Sequence, residues 1–197
     1  VLEINYREAI AGYIRAEANP PDKFSHQPRL YQLAKQLAQG QPFDDDVLYA
    51  AAWLHDIGVF IGHRPEDPIA LAKWDSVAYA LKEAPGLLER FGFPNEKIPA
   101  VTEVIRTHLP SGRPTSFEGI LMRDADILEQ LGAVGILRTV SKVGRDTRFI
   151  TFEDAIRVLQ RNAEQLPGQL RLDSARDLAV SKIKTMNTFL SAAHDIV

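Results

Sequence analysis

Apolar residues recur along this chain at three- and four-residue spacings, and the strict alternation of a half-buried strand is scarce. The pattern predicts a helix from Glu3 to Ala18, ended near "NPPD". Ser25 can cap a second helix from His26 to Gln39, with Pro28 tolerated in the first turn. Gly40 and Pro42 break it. "DDD" at 44–46 then opens a third helix, Val47 to Asp56, with charge that suits a helix start. That helix is apolar nearly all round, which places it in a core. "IGHRPEDP" reads as a loop, and further helices are predicted at about 68–83, 85–91, 96–108, 116–130, 132–143, 151–165 and 173–194. The expected fold is all-α, a compact bundle of nine or ten helices. It is expected to be a single domain over 1–197, with helices 151–197 packed on a core of about 20–150.

Composition narrows the chemistry. Formal net charge is −3, which gives no global electrostatic signal for nucleic acid or an anionic membrane. There are no cysteines, so disulfides and thiolate–metal sites are excluded, and any metal must be held by His and carboxylates. No apolar run reaches the ~18 residues of a membrane span. The first residues carry acids and lack the shape of a signal peptide. The default expectation is a cytoplasmic protein.

The stretch "AAWLHDIGVF" stands out against this ordinary background. A buried helix ends in His55 and Asp56 side by side, and a charge there needs a metal, a salt bridge or exposure to compensate it. Five histidines are available: His26, His55, His63, His108 and His194. His26 lies in the first turn of its helix. His108 shares the stripe of Val101, Val104 and Ile105, and so faces inward, as a hydrogen-bonded core histidine or as a chemical group. His63 belongs to a loop, and His194 reads as a surface residue of the last helix. Glu66 and Asp67 read as loop acids that could also serve as a base. Further on, "ILMRDADILEQLGAVGILR" places two acids in an amphipathic helix.

His26, then His55–Asp56, then the acid in "DADILEQLG" resembles the HD-domain metal-dependent phosphohydrolase superfamily. The resemblance covers roughly residues 20 to 150. It is carried by the helix "HQPRLYQLAKQLA" opening on His26, by the apolar lead-in and trailing Gly of "AAWLHDIG", and by the Ala-Asp-x-Leu helix with its small-residue turn. It implies an HD-domain-like helical bundle. It also implies a divalent ion held by His26, His55, Asp56 and one later Asp. On a helical wheel Asp124 falls within the apolar stripe of Phe117, Ile120, Leu121, Ile127, Leu128 and Leu131, whereas Asp126 lies ~200° away. Burial alone selects Asp124. The family pattern, with the ligand after Ala, selects Asp126, and that is the choice made here. Asp124 is then a buried acid in need of a partner, a hydrogen bond to a ligand histidine being one option, and remains the rival ligand.

Two imidazoles and two carboxylates suit Mn, Mg, Fe, Co or Ni with positions open for water and substrate better than a closed zinc site. Dinuclear members add histidines between the HD pair and the last Asp. His108 sits where one would fall, and the other would lie near "KWDSVAYA", where this chain has Asp75. One tight ion is expected, with Asp75 and His108 available to a looser second. Asp56 and His108 are the candidate catalytic residues. Some nucleotide-directed members carry an acid three or four residues past the HD pair, where this chain has Val59 and Phe60, so that variant of the mechanism does not follow.

Arg138, Lys142 and Arg145 are spaced i, i+4, i+7, with Arg148 just beyond, a row suited to phosphate oxygens. Together with this row, the resemblance implies a phosphohydrolase using metal-activated water on a nucleotide or another small phosphoester. A homodimer is compatible with it. A di-metal oxygenase of the same fold and a catalytically degenerate nucleotide-binding module are the alternatives.

Overall fold

The computed structural model describes residues 5–193, apart from the side chains of Asp22 and Phe24. His194 and the predicted helix start at Glu3 lie outside the described residues. Among the described residues there are ten α-helices joined by short 3-10 turns and loops, and no strand, as the periodicity predicts. No described helix is long and apolar enough to cross a membrane. The chain divides into two units, one up to Arg123 and one from Asp124 onward.

The first unit contains α1 (Tyr6–Glu17), α2 (His26–Leu37), α3 (Asp45–Leu54), α4 (Pro68–Ala72), α5 (Ser76–Arg90), α6 (Ile98–Thr107) and the start of α7 (Phe117–Glu129). Helix α3 is its centre. Every residue from Val47 to Leu54 is buried, and α1, α2 and α6 pack around it. Each large apolar side chain removed from water there contributes about 1.5–3 kcal/mol. Asp44 starts the helix by accepting from the backbone N–H groups of Asp46 and Val47, which satisfies two donors that a helix N-terminus leaves open.

The acidic start of α3 also ties its neighbours together. Arg7 of α1 donates to Asp45 at 2.9 Å and to Asp46 at 2.7 Å. Tyr31 of α2 donates to Asp45 at 2.6 Å, and Lys97, just before α6, donates to Asp46 at 2.9 Å. Burial raises the Asp46 carboxyl, but hydrogen bonds from Lys97, Tyr6 and Arg7 outweigh it and hold the group well below the usual carboxylate range. Burial, reinforced by the bond to Asp45, pushes the Tyr31 phenol up to about 12.

Three expectations need correction. Ser25 stands at the start of α2 without a side-chain capping bond, because its own backbone is already helical. The helix predicted over 68–83 is broken at Lys73–Asp75, where Asp75 caps α5 through the N–H of Ala78. The break predicted before residue 85 does not occur: α5 runs through Pro85, with Ala80, Ala84, Leu87 and Leu88 buried on either side. That burial outweighs the interior proline, whose lost backbone bond and ring clash together cost about 3 kcal/mol.

The second unit holds the end of α7 with α8 (Gly132–Val140), α9 (Phe152–Gln165) and α10 (Asp173–Ala192). The last three pack on one another. A Cβ at Gly135 would lie 2.2 Å from the carbonyl oxygen of Gln130, so only glycine lets α8 follow α7 this closely. Thr151 and Asp154 form a reciprocal cap at the start of α9. Helix α10 has no side-chain cap of its own. Asp124 does related work from α7, its Oδ2 accepting the N–H groups of Arg171 and Leu172, each at 2.8 Å.

Candidate metal centre

The HD pair straddles a helix end. Helix α3 stops at Leu54, His55 is its C-cap, and Asp56 has left helical geometry at φ −105° and ψ 11°. Within a helix, adjacent side chains diverge by ~100°. Ending the helix between them turns Asp56 back beside His55, with its Oδ2 3.6 Å from the Nε2 atom of His55. The 3-10 turn Ile57–Val59 that follows is held from outside. Trp74 donates to the Gly58 carbonyl at 2.7 Å, and a Cβ at Gly58 would lie 2.4 Å from the Ser76 carbonyl oxygen. The trailing glycine of the motif is thus a packing requirement of α5 against this turn.

His26, at the start of α2, completes a triangle. Its Nε2 lies 3.3 Å from the Nε2 of His55 and 3.7 Å from Oδ2 of Asp56. Among the described residues, these three form the one group with metal-ligand spacing. An ion with bonds of ~2.0–2.2 Å separates neighbouring ligand atoms by about 3–3.5 Å, so the triangle fits one face of a coordination shell.

The proton positions agree. His55 Nδ1 lies 3.0 Å from the Ala52 carbonyl, which only accepts, so in the neutral ring Nδ1 carries the proton and Nε2 keeps its lone pair. Nε2 is the atom that faces His26. Two imidazole nitrogens turned toward one another beside a carboxylate are donors of the kind a divalent cation accepts. His26 and His55 are buried, while the Asp56 side chain is 23% exposed. Burial raises the Asp56 carboxyl, but the positive charges that His55, His26 and His108 carry when protonated, together with that of Lys23, outweigh it and hold the group well below the ordinary range. Lys23 is a neighbour that no sequence pattern singles out.

His108 comes to the same place. It caps α6, is 2% exposed, sets Nδ1 2.6 Å from the Ile105 carbonyl, and has its ring centroid 5.0 Å from that of His55. Its Nε2 therefore also keeps a lone pair. Asp75 is not brought into this cluster: it is exposed and caps α5. Asp67 caps α4, and Glu66 is exposed. His63 is held between Glu17 at 2.8 Å and Tyr79 at 3.2 Å, which makes it a fastener of its loop.

In the second unit Asp124 and Asp126 are both buried, as are all residues from Leu121 to Glu129, so α7 hides both faces. Asp124 binds the backbone ahead of α10, which accounts for a buried acid inside an apolar stripe. Gln130 lies 3.3 Å from Asp126 Oδ2. Arg138, Lys142 and Arg148 of the basic row line one cavity of about 390 Å³, and Arg145 does not. Arg161 of α9 lines it instead, and no helical spacing within the row could have found it.

Comparison with known proteins identifies the family and the fold. The HD domain family model matches residues 24–131, more than half of the chain, and the chain belongs to that family. No curated protein matches it. Among solved structures, a Lactobacillus plantarum protein is 21% identical with a TM-score of 0.73, covering 99% of this chain and 98% of its own. Bacillus subtilis YpgQ in complex with ADP is 22% identical with a TM-score of 0.72, covering 100% and 97%. A predicted HD superfamily hydrolase from an uncultured Thermotogales bacterium is 26% identical with a TM-score of 0.63, covering 93% and 88%.

Proposed function

We propose that this protein is a metal-dependent phosphohydrolase acting on a nucleotide or another small phosphoester. The observation that carries the reading is the convergence of His26 Nε2, His55 Nε2 and Asp56 Oδ2 within 3.7 Å of one another. These three residues would hold the ion, and Asp126, in the position of the family pattern, is the proposed fourth ligand. A divalent ion held by such a set, when bound, polarises a phosphoryl oxygen and makes water easier to deprotonate.

The chain's own contributions follow from its hydrogen bonds. The carbonyls of Ala52 and Ile105 orient the rings of His55 and His108 and keep Nδ1 protonated on each. Asp56 stays a carboxylate. His108 Nε2 is the proposed site that takes up or returns a proton during turnover. Arg138, Lys142 and Arg148 are the proposed phosphate contacts. The complex of YpgQ with ADP supports a nucleotide as the phosphorylated substrate. The oxygenase alternative requires a second ion held with Asp75, and the engagement of Asp75 at the start of α5 favours the hydrolase.

A panel of nucleotides and phosphomonoesters, assayed with Mn, Mg, Co and Ni in turn, tests the proposal. Metal-dependent release of phosphate or pyrophosphate is expected. Tight nucleotide binding without release under any metal would overturn it in favour of a binding module.

A further inference from the structure

We infer that the second unit contains a binding cleft for a phosphomonoester dianion, and that Arg161 is the cation that completes it. The inference rests on the phosphate reading of Arg138, Lys142 and Arg148, and not on the metal centre. The cleft lies between α8 and α9 and is closed by the end of α7 and the loop before α9. Its volume of about 390 Å³ exceeds what a bare phosphate fills. It falls at the lower end of the ~300–1,000 Å³ of small-molecule sites.

The charge of the lining decides the ligand class. Four cations line the cleft against one carboxylate, Glu129, with Asp146 behind Arg148 as a second. The excess of about two positive charges matches a phosphomonoester near neutral pH. Two of the cations are aimed in advance. Arg148 is held by paired bonds to Asp146 at 2.9 and 2.7 Å, and Arg138 lies 3.7 Å from the 2%-exposed side chain of Glu129. Lys142 lies 5.1 Å over the Phe149 ring. Arg161 differs from these three: it projects from α9, is exposed, and has no ion pair with any described residue. A guanidinium at the open side of a cationic cleft can swing onto an incoming phosphate without breaking an existing pair. Val158 gives the cleft an apolar wall, and the amides of Gln130 and Asn162 offer hydrogen bonds to the hydroxyl-bearing group that carries the phosphate.

Calorimetric titration of the full chain with inorganic phosphate and with phenyl phosphate tests this, with folding of every variant checked by thermal unfolding. The parent chain should bind phenyl phosphate more tightly than inorganic phosphate. Arg161→Ser should weaken phenyl phosphate about tenfold or more, the loss of one charged hydrogen bond, and Arg161→Lys should recover part of it. Arg145→Ser, outside the cleft, should change affinity by less than about twofold. Undiminished binding in Arg161→Ser, an equal loss in Arg145→Ser, or no binding by the parent overturns the inference. If Arg138→Gln and Lys142→Gln weaken binding while Arg161→Ser does not, the row stands and only the role of Arg161 fails. If neither of those two weakens it, the phosphate reading of the row fails as well.

Discussion

His26 and His55 turn their Nε2 atoms toward one another at 3.3 Å, although 28 residues lie between them in the chain. With the Nδ1 proton of His55 fixed on Ala52, its facing nitrogen carries a lone pair, which is able to take a cation beside His26 and Asp56. Manganese should therefore raise the melting temperature of the protein. At a hundredfold excess over its Kd the stabilisation is about 2.7 kcal/mol. His55→Gln should abolish the shift while leaving the metal-free fold intact. A manganese-dependent shift that survives in His55→Gln would remove this histidine from the site.

Asp124 and Asp126 should separate cleanly. Asp124→Asn keeps one acceptor for Arg171 and Leu172 but loses the charge, and should cost about 1–3 kcal/mol in urea unfolding. Its bound metal should be unchanged. Asp126→Ala should purify with its metal depleted. The reverse pattern in elemental analysis would make Asp124 the ligand.

Two glycines should respond in opposite directions. At Gly58 an added Cβ meets the Ser76 carbonyl oxygen at 2.4 Å, so Gly58→Ala should destabilise by about 1–3 kcal/mol. At Gly12, within α1, an added Cβ has nothing within 4 Å, and Gly12→Ala should stabilise by about 0.5–1 kcal/mol. Denaturant midpoints of the two variants provide the comparison.

The polar fastening of α3 predicts an acid dependence. Asp46 is depressed in the folded chain, so its contribution is fully present above its unfolded pKa of ~3.9 and is lost as pH falls through the lower folded value. Asp46→Asn should therefore cost about 1–2 kcal/mol at neutral pH, discounted for a partly exposed network. The gap from the parent should hold above about pH 5 and narrow below about pH 4. A gap that widens on acidification would contradict the assigned contacts.

Much of this protein is legible in its sequence because the relevant signals are local. A 3.6-residue period marks helices wherever they pack. The all-α class, the buried α3 and the HD pair at its end follow from patterns a few residues long. The resemblance to HD-domain proteins also comes from short motifs, and the family match over residues 24–131 bears it out. Local signals mislead where a distant contact prevails. Pro85 reads as a break, yet α5 continues because buried side chains on both sides of it outweigh the missing bond. Ser25 reads as a cap and makes no capping bond, whereas Asp75, which the sequence offers to a looser second ion, performs that role for α5.

Residue identity alone reveals which side chains are chemically able to bind a metal and phosphate, since imidazoles, carboxylates and guanidiniums are visible one at a time. Which of them meet depends on the folded chain. The end of α3 at Leu54 brings His55, Asp56 and His26 onto one triangle, the backbone before α10 engages Asp124, and packing of α8 against α9 replaces Arg145 with Arg161 in the cleft. Each outcome depends on where a helix ends and what packs across from it. These are sums of many weak contacts between residues far apart in the chain, and no short window of sequence contains them.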